Sequence, residues 1–144
     1  MRTQIDLRLA RHGAILLLLG MLTGFVIRDL PNRGAGDTAH LVGLMGGYGL
    51  IAIGLLWPKL DLGRFWSAAG AWITAASLYL NWLGVVFLAL GTGHNAADAA
   101  ISGSPFWNAA GGMVLKIAAL TSLISVLVVL IGLRRLTAAT ESPV

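Results

Sequence analysis

Four long apolar stretches divide this chain, and its charged residues cluster in the short intervals between them. The first covers about residues 13–27, and reaches residue 30 if Arg11 and Arg28 extend their charged ends to an interface. The second, residues 38–57, carries no charge. A third uncharged run, residues 65–97, holds a span at about 67–90. The fourth covers about 108–133 and is interrupted by Lys116. A membrane-crossing helix needs roughly 20 apolar residues. Strands of a membrane barrel are about 9–11 residues long and alternate in polarity. These stretches are longer and do not alternate. They predict an all-α membrane protein, a four-transmembrane-helix bundle. Residues 1–144 form a single membrane domain with spans at about 13–30, 38–57, 67–90 and 108–133.

The intervals carry helix-breaking signals. Pro31, Asn32, Arg33, Gly34 and Gly36 end the first helix, and Asp37 is the expected N-cap of the second. Pro58 ends the second helix, Gly91 and Gly93 end the third, and Gly103, Ser104 and Pro105 precede the fourth. There is no internal repeat and no low-complexity segment.

Composition sharpens this reading. Of 144 residues, 57% are hydrophobic and only 11% charged, with mean hydropathy +0.82. A soluble domain has about 25% charged residues, so an ordinary soluble enzyme is excluded. The chain has no Cys, which excludes disulfides, thiolate metal sites, iron–sulfur clusters and a Cys nucleophile. The net charge of +4 does not indicate nucleic acid, because the cations sit in short clusters between apolar runs. Arg2, Arg8, Arg11, Lys59, Arg64, Arg134 and Arg135 fall on one side, whereas the other side has Arg28 and Arg33. The positive-inside rule then puts the N and C termini in the cytoplasm. The first stretch has the basic start and apolar run of a signal peptide. No small-x-small site directly follows Ile27, so it reads as uncleaved.

Several polar residues fall inside spans, where they are costly and need partners. His40 opens the second span, with Gly43, Gly47 and Gly54 on the same helical face. Two readings compete. Gly43-x-x-x-Gly47 is a pattern that lets helices pack closely. Alternatively, a flat cofactor lies on the glycines with His40 as its axial ligand. In the third span Thr74, Ser77 and Asn81 share a stripe, with Tyr79 beside it and Trp72 and Trp82 flanking it. Either these residues hydrogen-bond between helices, or Tyr79 and Asn81 wall a pocket. Lys116 is expected to snorkel to the interface, towards Asp98. His12 and His94 read as interfacial, and Trp57 and Trp107 as belt residues at span ends. No Ser/His/Asp set, dinucleotide-binding glycine pattern, P-loop or acidic pair within a span is present. A transporter would show repeated halves, which are absent.

The residues now form a familiar order. Arg11-His12-Gly13 and Leu22-Thr23-Gly24 are followed by Ala39-His40-Leu41-Val42-Gly43-Leu44-Met45. Then come Gly54-Leu55-Leu56-Trp57-Pro58-Lys59-Leu60, Tyr79-Leu80-Asn81-Trp82, Leu90-Gly91-Thr92-Gly93 and Gly132-Leu133-Arg134. Together they resemble the small membrane family of hydroxylaminobenzene mutases and styrene oxide isomerases. The resemblance implies a four-helix membrane isomerase of the bacterial inner membrane, assembled as a homo-oligomer, a trimer. It implies ferric haem b between protomers, acting as a Lewis acid on an epoxide oxygen. His40 matches the family's axial ligand, and Tyr79 and Asn81 match its third-span tyrosine and amide. The implied substrate is a small aromatic or apolar molecule. An aryl epoxide would open to an aldehyde through a hydride shift, or a hydroxylaminobenzene would rearrange to an aminophenol. One departure stands out: Gly46 occupies the place of the family's Asn, leaving room for water or a bulkier substrate. Two other classes remain open. A b-type cytochrome would use His94 as second axial ligand, and a non-catalytic membrane protein would use the glycines for packing alone.

Overall fold

A computed structural model describes residues 2–60, 62–92 and 103–141. It contains four helices: α1 (Arg2–Val26), α2 (Arg33–Leu56), α3 (Arg64–Leu90) and α4 (Pro105–Glu141). All four are long and apolar enough to cross a membrane, which makes this an integral membrane protein. Each helix extends beyond its apolar stretch. α4 starts where Pro105 presets the helical φ, and Pro can occupy a first turn without losing a needed N–H.

Asn32, not Asp37, caps α2. The Asn32 side chain accepts from the Ala35 N–H at 3.0 Å, while Asp37 lies inside the first turns of the helix. The Asn32 N–H also donates to the Ala89 carbonyl at 3.0 Å, tying the start of α2 to the end of α3. Unsatisfied backbone groups are costly in lipid, so a residue that fixes both ends is favoured over one that caps alone.

α1 pairs antiparallel with α2, and α3 with α4, and the two hairpins meet through α2 and α3. The α1–α2 seam is made of glycine. A Cβ at Gly43 would lie 2.5 Å from the Gly20 Cα, and one at Gly47 would lie 2.7 Å from the Leu17 nitrogen. A Cβ at Gly13 would lie 2.7 Å from the Gly47 carbonyl oxygen. Lipid tails are as apolar as leucine, so burial does not drive helices together in a membrane. Close backbone packing does, and it needs such small residues.

The apolar core sits at the end of the bundle that carries both termini. There Leu9, Leu50, Trp57, Leu60, Leu62, Ala71, Ala75 and Val128 bring all four helices together. Trp57 is therefore not a belt residue: it is 2% exposed, and its Nε1–H donates to the Ser67 carbonyl and hydroxyl at 3.2 Å. The chain leaves the helix through Pro58 at this point, which turns the indole inward. The opposite end is held by polar ties, including Asn108 Nδ2–H to Thr92 Oγ1 at 2.6 Å.

Gly43→Val is expected to destabilise the bundle by about 1–3 kcal/mol, because the added atoms meet backbone that cannot yield. Gly49 and Gly112 have open space around a Cβ, so Ala at either is expected to be neutral or to stabilise by up to about 1 kcal/mol. Thermal unfolding in mild detergent checks both.

Candidate functional site

His40 does not face open space over its glycines. Its ring lies in the α1–α2 seam, where its Nδ1 is 2.8 Å from the Gly20 carbonyl oxygen. A carbonyl only accepts, so Nδ1 carries a proton, and in the neutral ring Nε2 keeps its lone pair. The two nitrogens diverge on the ring, and Nε2 therefore points away from Gly20. Gly24 makes the seat: a Cβ there would lie 2.7 Å from Nδ1. Gly20 and Gly24 thus bring α1 close enough for one backbone carbonyl to fix the imidazole tautomer. Metal-ligating histidines are usually held in this way through the other ring nitrogen.

Gly43 and Gly47 play a different part from the cofactor surface considered above. α1 covers both, so no flat group lies on them. The space at Gly46 is also filled. A Cβ there would meet Leu16 Cδ2 at 3.1 Å, and Leu16 is fully buried. Where the resemblance expects an Asn, Leu16 occupies the volume, so the glycine opens no room for water or substrate.

The third-span stripe splits by role. Thr74 Oγ1 and Ser125 Oγ are 2.6 Å apart and tie α3 to α4, while Ser77 donates to the Thr74 carbonyl of its own helix at 2.9 Å. Trp82 Nε1–H donates to Thr23 Oγ1 at 3.3 Å, one residue from Gly24. Asn81 is half-buried and makes no side-chain hydrogen bond among the described residues. An amide in hydrocarbon without a partner is costly, so Asn81 is the group on α3 left available to a ligand or second chain.

Tyr79 belongs to another constellation. Its hydroxyl donates to the His12 carbonyl at 3.0 Å and lies 3.5 Å from His12 Nδ1. The His12 ring stands edge-on to Tyr79 and to Trp72, with centroids 5.9 and 5.7 Å away. Arg8, Leu9, His12, Ala71, Trp72 and Ala75 help to line a cleft of about 90 Å³ beside them. His12 is therefore a packed residue of α1, held against Tyr79 and Trp72. Along α1, His12 is eight residues from the Gly20 that holds His40. At the helical rise this is about 12 Å. One chain does not bring the Tyr79 hydroxyl and the His40 ring together.

Lys116 is exposed on α4, eleven residues inside the helix from Pro105. That is about 16 Å, or roughly three turns. A lysine at the centre of a span costs about 2.5–3.5 kcal/mol on insertion scales. Asp98, its expected partner, and His94 lie outside the described residues.

Sequence reasoning passed over two features. One is the partner of Tyr79, His12, which gave no signal because the contact spans 67 positions. The other is the seat of His40. Gly13, Gly20 and Gly24 recur at seven and four residues, a helical face that mirrors the glycines of α2.

The fold and this seam define a four-span helical membrane protein with one imidazole held as a single tautomer. Residues 5–134 match the family model described as styrene oxide isomerase, and the chain belongs to that family. Hydroxylaminobenzene mutase HabA of Ectopseudomonas oleovorans is 42% identical over 89 residues, 61% of this chain and 66% of that one. Hydroxylaminobenzene mutase HabB of the same organism is 35% identical over 112 residues, 78% of this chain and 58% of that one. The matches thus span about two thirds or less of the length of these relatives. No solved structure matches the chain.

Nitrogen-15 spectra of histidine-labelled protein are expected to show His40 with its proton on Nδ1. Gly24→Val displaces the ring from the Gly20 carbonyl, and the His40 signals then shift towards the average of two tautomers.

Proposed function

We propose that this chain is an intramolecular membrane isomerase, acting on a small aromatic substrate with a reactive oxygen at the position His40 serves. The observation that carries the proposal is the Nδ1–Gly20 hydrogen bond of 2.8 Å, which leaves the Nε2 lone pair of His40 for a metal. The donor chemistry suits a haem iron. The resemblance described above implies the same group. His40 would hold it. Gly43 and Gly47 would act only by holding α1 in place. A ferric haem supplies Lewis acidity towards a substrate oxygen.

The chain's own residues do the rest. Asn81 offers its free amide to the substrate oxygen, and a preorganised donor in a dry pocket stabilises charge that develops there. Tyr79 is oriented by His12, and because one chain does not bring its hydroxyl to the His40 ring, it would serve the site of a neighbouring copy. The apolar walls keep water from trapping a cationic centre as a diol. In an aryl epoxide the C–O bond breaks, hydride migrates to the benzylic carbon, and an aldehyde of the same composition forms. No electrons are gained or lost. Rearrangement of a hydroxylaminobenzene to an aminophenol is the second reading, and the names of the two mutase relatives favour it. The distribution of Lys and Arg supports cytoplasmic N and C termini, in a bacterial inner membrane.

The test is incubation of the purified protein with an aryl epoxide and, separately, with hydroxylaminobenzene. The expected product has the mass of its substrate and forms without nicotinamide or added oxidant. His40→Ala is expected to abolish it. Asn81→Leu and Tyr79→Phe are each expected to lower turnover by about 10²-fold. A variant that loses thermal stability but keeps turnover marks a strut between helices. Failure of both substrates to rearrange overturns the proposal.

A further inference from the structure

The cleft beside Tyr79 combines an apolar floor with polar groups that no helix contact uses up. It lies between α1 and α3, at the end of the bundle that carries the termini. Ala68, Ala71 and Ala75 line it at offsets of three and seven, one face of α3. Trp72 forms a side and is 62% exposed. α1 supplies Arg8 and His12 from across the cleft. The His12 ring stands edge-on to Trp72, and its carbonyl accepts from the Tyr79 hydroxyl at 3.0 Å.

The two ends of the cleft differ in chemistry. Arg8 lies one turn before His12, about 6 Å nearer the termini. The shallow end therefore carries a guanidinium, and the deep end an imidazole beside a phenol. Among the described residues no acidic side chain lines the cleft. Arg8 is exposed and forms no ion pair among them, and His12 Nε2 has no hydrogen-bond partner there. A guanidinium grips a carboxylate through two parallel N–H bonds. An indole takes an aromatic ring by offset or edge contact. The floor of the cleft, from Ala68 to Ala75, is about 10 Å long, and its volume is about 90 Å³. That suits one ring with a substituent at each end, whereas a lipid acyl chain is longer. Ligand sites are commonly built in this way, apolar with a few polar groups that fix orientation.

We infer that this cleft binds an aromatic carboxylate: the carboxylate on Arg8, the ring over Ala71 against Trp72, and a nitrogen or oxygen substituent opposite it, towards His12 and Tyr79. This names the substrate class of the isomerase reading and rests on that reading for the reaction, whereas binding of the carboxylate does not. The substrate is then a hydroxylaminobenzoate. In 4-hydroxylaminobenzoate the carboxylate blocks the ring carbon opposite nitrogen. The N–O bond breaks, a C–O bond forms at a ring carbon adjacent to the one bearing nitrogen, and the proton displaced from that carbon goes to nitrogen. The product, 4-amino-3-hydroxybenzoate, has the composition of its substrate, and no electrons enter or leave.

The stable probe is 4-aminobenzoate, compared with aniline by calorimetry on the protein in mild detergent. The wild type is expected to bind 4-aminobenzoate about tenfold tighter than aniline or more, and Arg8→Met to lose that preference. Arg11 is exposed and does not line the cleft, so Arg11→Met is expected to keep it. Ala68→Leu fills the floor from an exposed position, and is expected to weaken the probe without lowering the unfolding temperature. Equal binding of the two probes by the wild type overturns the assignment. So does an Arg11→Met variant that loses the preference as fully as Arg8→Met, which marks surface charge alone. Decanoate bound as tightly as 4-aminobenzoate overturns the aromatic ligand. In a second arm, kcat/KM for 4-hydroxylaminobenzoate is expected to exceed that for hydroxylaminobenzene about tenfold in the wild type, and the ratio to fall to about one in Arg8→Met. A wild-type ratio of about one or less overturns the substrate class. Binding without rearrangement of either hydroxylamine leaves the cleft standing and overturns the isomerase reading.

Discussion

The close approach of α1 and α2 at Gly20 and Gly43 is the constraint from which the functional end of the molecule follows. The Gly43 Cβ position would sit 2.5 Å from the Gly20 Cα, so the two backbones touch. Only at this separation does the Gly20 carbonyl come within 2.8 Å of His40 Nδ1. A side chain at Gly24 would push the ring out, and one at Gly46 would meet Leu16. Gly20, Gly24 and Gly43, on two helices, thus set the position, orientation and tautomer of one imidazole. In lipid there is no hydrophobic term to bring the helices together, so the contact that positions His40 is also the contact that stabilises the hairpin.

The bundle divides its tasks by depth. Apolar packing from all four helices fills the end that carries the termini, anchored by Trp57. The other end is stitched by single hydrogen bonds, such as Asn32 to Ala89 and Asn108 to Thr92. α3 runs between these regions and touches every other helix. Its polar residues face two neighbours: Thr74 bonds to α4, while Tyr79 and Trp82 bond to His12 and Thr23 of α1. Satisfied bonds of this kind hold interhelical geometry. Asn81 has no such partner among the described residues, and it is the group assigned to substrate.

Much of this was legible in the sequence because the bilayer imposes a length and a polarity on every span. All four helices follow from runs of apolar residues, and the resemblance to the isomerase and mutase family agrees with the family to which the chain belongs. The glycine face on α2 was legible as well, but its partner was not. A pattern on one helix shows that something approaches closely without showing whether that something is a helix or a ligand, and α1 settles it for Gly43 and Gly47. Asp37 looked like the cap because Asp precedes the apolar run. Asn32 wins because its backbone reaches Ala89, a contact between residues 57 positions apart. Trp57 reads as a belt residue because it stands at a span end in sequence, and only its tertiary contact with Ser67 draws it inward.

The central claim is that His40, seated on Gly20 and Gly24, is the ligand of the reactive centre. The absorption spectrum of the protein purified in mild detergent and supplied with hemin tests it most directly, read beside His40→Ala. A Soret band for ferric haem is expected in the wild type, and its loss in the variant. A wild-type protein that stays without the band, or a His40→Ala variant that keeps it, contradicts the account.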